Sequence, residues 1–214
     1  MIIYFIQTRV RMLYLYLKAL FISLFKQKEI KCKSNKIAFV MLAANYNNLG
    51  DIAITKSQEA YLRKILPADY TIVVVPYDET FNVYYSMKRL VNENTIITLI
   101  GGGNSGSLYE FIEWPRRFIL EKFKYCKIIS FPQSVYYEES KLSNYYKNAF
   151  INRCKKCVNL TLIARERDSY EKYMDMGLEN TNIMLIPDIV FSMEYNSESV
   201  SCEKSKDIAL VFRD

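Results

Sequence analysis

Histidine is missing from all 214 residues. That excludes a Ser-His-Asp triad, a Cys-His nucleophile pair and an H-E-x-x-H zinc site. Any acid–base group must therefore be Asp, Glu, Lys, Tyr or Cys. Glycine is scarce as well, with six in the chain, and four of them fall between Gly101 and Gly106. A chain that uses glycine so sparingly and then clusters it marks one backbone site. The five cysteines (Cys32, Cys126, Cys154, Cys157 and Cys202) are odd in number and irregular in spacing. They argue against a disulfide framework and for a reducing cytoplasm. Cys154-Lys155-Lys156-Cys157 lacks the further ligands a zinc site needs. It also closes a helix-like stretch rather than opening one after a strand, so it reads as two helical cysteines. No metal site is expected.

Charge of one sign is not abundant either. The net charge is +6, and part of the excess sits at Arg9, Arg11, Lys18, Lys26, Lys28, Lys31, Lys33 and Lys36. The remainder is mixed in sign, so no nucleic-acid partner is expected. A mildly basic surface suits anionic small molecules and anionic membranes. The run Met12–Phe25 is apolar around a central Lys18 and has basic flanks. It is shorter than the roughly 20 residues needed to span a bilayer, and it lacks a signal-peptide cleavage site. Residues 12–25 read as a helix packed on the domain, or as a helix in weak contact with a membrane surface through snorkelling lysines. Residues 1–35 are thus a helix and a polar connector.

What is present from Lys36 onward is alternation. Short apolar or β-branched runs at Ile37–Ala43, Tyr70–Val75, Thr95–Ile100, Cys126–Phe131, Asn159–Ala164 and Asn182–Ile186 read as strands, several of them stopped by proline. Helical spacing fills Asp51–Leu66, Phe81–Val91, Leu108–Phe123, Leu142–Cys157 and Arg167–Met176. A last apolar run, Ile208–Phe212, follows a polar stretch. Such alternation predicts a doubly wound, mostly parallel α/β sheet over residues 36–195, with residues 196–214 a linker and one further strand. Ligands of such sheets bind beyond the carboxyl ends of the strands, where the strand order reverses.

The residues just after each strand are therefore the candidates. Asn48, Gly50 and Asp51 follow the first strand, and Asp51 is either a helix cap or a carboxylate for a hydroxyl. Gly101, Gly102, Gly103 and Asn104 follow the third. They read as a loop feeding a helix, whose N–H groups form a cradle for an anion or a hydroxyl-rich ligand. The loop is neither a Walker A motif nor a dinucleotide fingerprint. Gln133 and Ser134 suit sugar hydroxyls. Arg165 suits an anion, Glu166, Arg167 and Asp168 read as first-turn ion pairs, and Asp188 reads as a turn cap. The sequon at Asn159 lies in a buried strand and is discounted.

Taken in order, Asn48-Leu49-Gly50-Asp51-Ile52-Ala53-Ile54, Gly101-Gly102-Gly103-Asn104, Phe131-Pro132-Gln133-Ser134, Ala164-Arg165-Glu166-Arg167-Asp168-Ser169-Tyr170 and Pro187-Asp188 resemble the polysaccharide pyruvyl transferase family. The resemblance runs from about Ile37 to the end. It implies one lobe of a two-lobed, Rossmann-like architecture similar to the GT-B fold. It further implies transfer of the enolpyruvyl unit of phosphoenolpyruvate to a pair of sugar hydroxyls on a cell-surface glycan or its lipid-linked precursor, giving a ketal. Phosphoenolpyruvate is then a donor substrate and no cofactor is implied. The glycine loop and Asp51 would face the acceptor.

The family's second lobe carries an Arg-Leu-His motif for which this chain has no counterpart. Val211-Phe212-Arg213-Asp214 resembles the first strand of that lobe, so Arg213 is the expected donor contact. The chain is expected to be a fragment or a truncated form, placed in the cytoplasm or at the inner face of the plasma membrane. It would act with a partner lobe or as a homo-oligomer. Two alternatives stay open: a GT-B glycosyltransferase lobe acting on a nucleotide sugar, and a non-catalytic glycan-binding lobe.

Overall fold

The structure is a computed structural model that describes residues 2–32 and 34–193, with side chains of the first helix described at Val10, Leu13, Tyr14 and from Tyr16 onward. Arg213, the expected strand Ile208–Phe212 and the expected linker lie outside the described residues. The first helix, α1 (Ile2–Phe25), is longer than the apolar run that signalled it. No described helix is long and apolar enough to cross a membrane.

Among the described residues, seven parallel strands form one sheet. They are β1 (Ile37–Ala43), β2 (Thr71–Pro76), β3 (Ile96–Leu99), β4 (Gly102–Gly106), β5 (Lys127–Tyr136), β6 (Asn159–Ala164) and β7 (Thr181–Leu185). The order is β2-β1-β3-β5-β6-β7, with β4 pairing β5 beyond the end of β3. The chain steps outward from β1 to β2, then returns past β1 to β3, so the order reverses between β1 and β3. This is the switch point at which a crevice opens. Every residue of β1 is buried, as expected of a strand covered on both faces.

The helices divide accordingly. On one face lies α2 (Leu49–Ile65), where Tyr61 meets Phe131 edge-to-face. On the other lie α3 (Tyr84–Leu90), α4 (Glu110–Lys122), α5 (Lys141–Cys154) and α6 (Arg167–Met174). Their layer is joined by Tyr84 on Phe118 and Phe123, and by Phe150 stacked on Tyr173. Beside α2 the sheet face is left as an open apolar groove of about 610 Å³, with Ile129, Ile163, Met184 and Phe191 in its lining.

The structure corrects two expectations. Pro132 does not end the fourth expected strand, which continues as β5 to Tyr136. Its missing N–H is absorbed where the β5–β6 register shifts between Ser130 and Gln133, an irregularity that tolerates proline in an inner strand. The glycine segment is not a loop feeding a helix. Gly102–Gly106 is a strand, and α4 begins four residues later. The glycines are needed because the two strands crowd together. A Cβ at Gly101 would lie 2.9 Å from the Pro132 carbonyl oxygen, and one at Gly106 would lie 1.8 Å from that of Tyr136. Gly102 and Gly106 also sit at φ +111 and +125, which L side chains avoid. Gly106→Ala is therefore expected to destabilise the chain by about 3 kcal/mol or more, visible as a lower midpoint in urea unfolding or as insoluble protein.

Candidate functional site

The crevice at the switch point is built from the ends of β1 and β3. β1 bends as it leaves the core, with Leu42 at φ 67 and a register shift between Met41 and Ala43. The Ala44 N–H is taken up by Thr55 Oγ1 at 3.1 Å. Asn48 then starts α2, its Oδ1 accepting from the N–H groups of Gly50 (3.0 Å) and Asp51 (3.3 Å). The cap is thus Asn48, which frees the Asp51 carboxylate from that task. Asp51 lies in the first helical turn, where the helix dipole favours a negative charge. Its Oδ2 accepts a 2.8 Å hydrogen bond from the Tyr46 hydroxyl. Its Oδ1 faces Gly102, 3.7 Å from where a Cβ would stand. Burial, and then the Asp51 carboxylate, push the Tyr46 phenol well above its ordinary pKa, so it remains a donor at physiological pH.

An aromatic row borders this carboxylate. Tyr46 meets Tyr77 edge-to-face at 5.6 Å, Tyr77 meets Phe111 at 5.5 Å, and Phe111 meets Tyr109 at 6.1 Å. Sequence reasoning did not pick out these rings. They come from three separate segments of a chain with 18 tyrosines, and no local spacing unites them.

The glycine strand presents less to a ligand than expected. The Gly101 N–H donates to Gln58 Oε1 (3.3 Å) and the Gly106 N–H to Glu113 Oε2 (3.4 Å). Gly103 is exposed, and Gly101 and Gly102 are buried. Asn104 is buried, and its Oδ1 accepts from Arg116 Nη2 at 2.5 Å. Gln133 is fully buried, with its amide nitrogen donating to the Ile100 carbonyl. Asn104 and Gln133 therefore hold the glycine strand in place, and Asn48 holds the helix start.

Arg165 follows β6 and joins three neighbours. Its Nε donates to Ser134 Oγ (2.6 Å) and its Nη1 to Asp188 Oδ2 (2.9 Å). Ser134 in turn donates to Glu166 Oε2 at 2.8 Å. Asp188 caps its turn as expected, its Oδ1 accepting from the Val190 N–H, and it pairs with Arg165 as well. Glu166 forms no first-turn pair with Arg167; it turns back to Ser134 and Ser169. Two carboxylates thus surround one guanidinium. Its Nη2 faces Gly103, 3.2 Å from where a Cβ would stand.

Beneath the glycine strand lies a charged group that the sequence did not reveal. Glu113, Arg116 and Arg117 of α4 are all buried, with Glu113 Oε2 3.0 Å from Arg116 Nη1. Desolvation pushes the Glu113 carboxyl up, and the two arginines pull against it. Arg117 lies over the Tyr146 ring at 4.8 Å and the Trp114 ring at 5.7 Å. Their helical spacing alone resembles that of a solvated face.

Elsewhere, Cys154 and Cys157 are free, buried thiols raised by desolvation, Cys157 to about 11. Iodoacetamide at neutral pH should leave both unmodified in the folded chain and modify them in urea, as peptide mass mapping would show. Arg165→Lys removes the fork that joins Ser134 to Asp188. A loss of about 1 kcal/mol in urea unfolding is expected at this partly exposed site.

Comparison with known proteins places this arrangement in a wider setting. Residues 48–213 match the family described as polysaccharide pyruvyl transferase. General stress protein 30 of Bacillus subtilis is 31% identical over 170 residues, covering 78% of this chain and 48% of that protein. Pyruvyl transferase 1 of Schizosaccharomyces pombe is 29% identical over 154 residues, covering 70% of this chain and 36% of that protein. The chain thus spans half or less of the length of these relatives. A solved structure of an uncharacterized protein from Klebsiella pneumoniae shares the fold, with a TM-score of 0.51 at 22% identity, covering 78% of this chain and 55% of that one. The matched stretch holds all of the crevice from Asn48 onward, and on that match the chain belongs to the polysaccharide pyruvyl transferase family.

Proposed function

We propose that this chain is the acceptor-side lobe of an enzyme that transfers pyruvate from phosphoenolpyruvate to two hydroxyls of a sugar, forming a ketal during cell-surface polysaccharide synthesis. Family membership supports the reaction class. The observation that carries the site is Asp51: a half-buried carboxylate at the switch point, oriented by Tyr46 and relieved of capping by Asn48.

The reaction needs each acceptor hydroxyl to lose a proton as its oxygen bonds to the central carbon of the enolpyruvyl unit. The vinyl carbon gains one proton to become methyl, and the other leaves with phosphate. Asp51 is suited to receive a hydroxyl proton. The exposed Gly103 backbone and Arg165 Nη2 are suited to hold neighbouring oxygens of the glycan. Arg213 is assigned to the carboxylate or phosphate of the donor, which arginine binds in bidentate fashion. The four free cysteines among the described residues suit a reducing cytoplasm, where we place the enzyme.

The test uses a full-length enzyme that contains this lobe, with ketal formation followed by mass spectrometry of the glycan. Asp51→Asn should lower kcat by about a hundredfold or more, with the acceptor KM little changed. Unchanged turnover would remove Asp51 from the role of proton acceptor. A parent enzyme that forms no product from phosphoenolpyruvate with any glycan would overturn the reaction itself.

A further inference from the structure

The helix α1 carries two apolar faces, and the domain uses one. Ala19 and Ser23 are buried, and the helix lies against Tyr84, Tyr85, Phe118 and Lys122. On the opposite side, Val10, Tyr14, Leu17, Phe21 and Leu24 follow one another at helical spacing, with exposures from 43% at Leu24 to 61% at Tyr14. A continuous apolar stripe of this length is unusual on a free surface and marks a contact site.

We infer that α1 lies in the plane of an anionic bilayer, with this stripe at the headgroup boundary. Charge selects the occupant. The first acidic residue of the chain is Glu29, while Arg9, Arg11, Lys18, Lys26 and Lys28 precede it. Lys18 and Lys26 are exposed, and Lys28 is held by Glu79 at 2.7 Å. Basic residues beside an apolar, aromatic stripe match an interface of negative headgroups. The same stripe has the spacing of a seam for a second copy of the helix. Pairing would then bring two sets of like charges together with no acid on either helix to offset them.

The placement of α1 relative to the crevice adds a consequence. Its C-terminal end is tied to the turn that follows β2, with the Lys28 N–H donating to the Asn82 carbonyl and the Asn82 amide to the Lys26 carbonyl, both at 2.9 Å. That turn includes Tyr77 and Glu79 and lies at the carboxyl edge of the sheet, after β2. A docked α1 therefore holds this turn close to the bilayer.

Vesicle co-sedimentation of the 214-residue chain tests the docking without any need for turnover. Vesicles of phosphatidylcholine containing a minority of phosphatidylglycerol should carry the chain down, vesicles of phosphatidylcholine alone should not, and added salt should release it. Leu17→Glu with Phe21→Glu should lower partitioning by about tenfold or more, with circular dichroism and the melting curve unchanged because both side chains are exposed. Should that pair disturb folding, Lys18→Glu with Lys26→Glu should lower partitioning in the same direction. Asp51→Asn should bind vesicles as the parent does, which separates this result from the fate of the catalytic assignment. No sedimentation with anionic vesicles overturns the inference, as does equal, salt-insensitive binding to both compositions. A dimer in solution that the Leu17/Phe21 pair abolishes, with no vesicle binding by the parent, would overturn it too and assign the stripe to a second copy.

Discussion

The backbone of the glycine strand must pass within van der Waals reach of the β5 carbonyls, and the rest of the carboxyl edge of the sheet is arranged around that approach. β5 is the longest strand, and it changes partner along its length. Lys127–Ser130 pair with β3, and Gln133–Tyr136 pair with β4. The exchange happens at Pro132, which has no N–H to give to a ladder. Side chains at Gly101 or Gly106 would hold the strands apart, and one at Gly102 would press on Ile54 of α2. The fixings follow from the same crowding: Gln133 holds the Ile100 carbonyl, Gln58 receives the Gly101 N–H, and Arg116 holds Asn104.

The fixings from α4 are costly ones. Two guanidiniums and one carboxylate have been taken out of water, and such groups generally stabilise less than an apolar core of the same volume. What they provide is direction. Glu113 receives the Gly106 N–H, Arg116 grips both the side chain and the carbonyl of Asn104, and Arg117 rests on the Trp114 and Tyr146 rings. The last residues of the glycine strand are thereby anchored from below, and the exposed Gly103 stands above them.

The two ends of the crevice differ in charge and chemistry. Near Asp51 the setting is aromatic, with the Tyr46, Tyr77, Phe111 and Tyr109 rings in edge-to-face sequence. Near Arg165 it is ionic, with Ser134, Glu166 and Asp188 around one guanidinium. A sugar has an apolar ring face and a rim of hydroxyls, so a cleft with one aromatic end and one polar end suits it. Arg165 is already balanced within the lobe by Asp188 and Glu166.

The sequence by itself determined the alternation, and with it the parallel sheet. The strand Ile37–Ala43 is legible because its apolar run is local and uninterrupted, and Asn159–Ala164 because its apolar residues are concentrated there; both appear with the expected bounds, although Asn159 itself is exposed. The family motifs likewise marked the family to which the chain belongs. Tertiary structure decided everything that depends on two distant segments meeting. Glycine clustering signals an unusual backbone but does not say what fills the vacated space; in this fold it is β5 at Gly101 and Gly106, and Ile54 of α2 at Gly102. Pro132 signals a strand end unless a bulge absorbs it. Asp51 could have been a cap or a free carboxylate, and only the position of Asn48 relative to the helix start separates the two. The buried charges of α4 have the spacing of a surface face, because helical periodicity records which side chains share a side and not what that side meets.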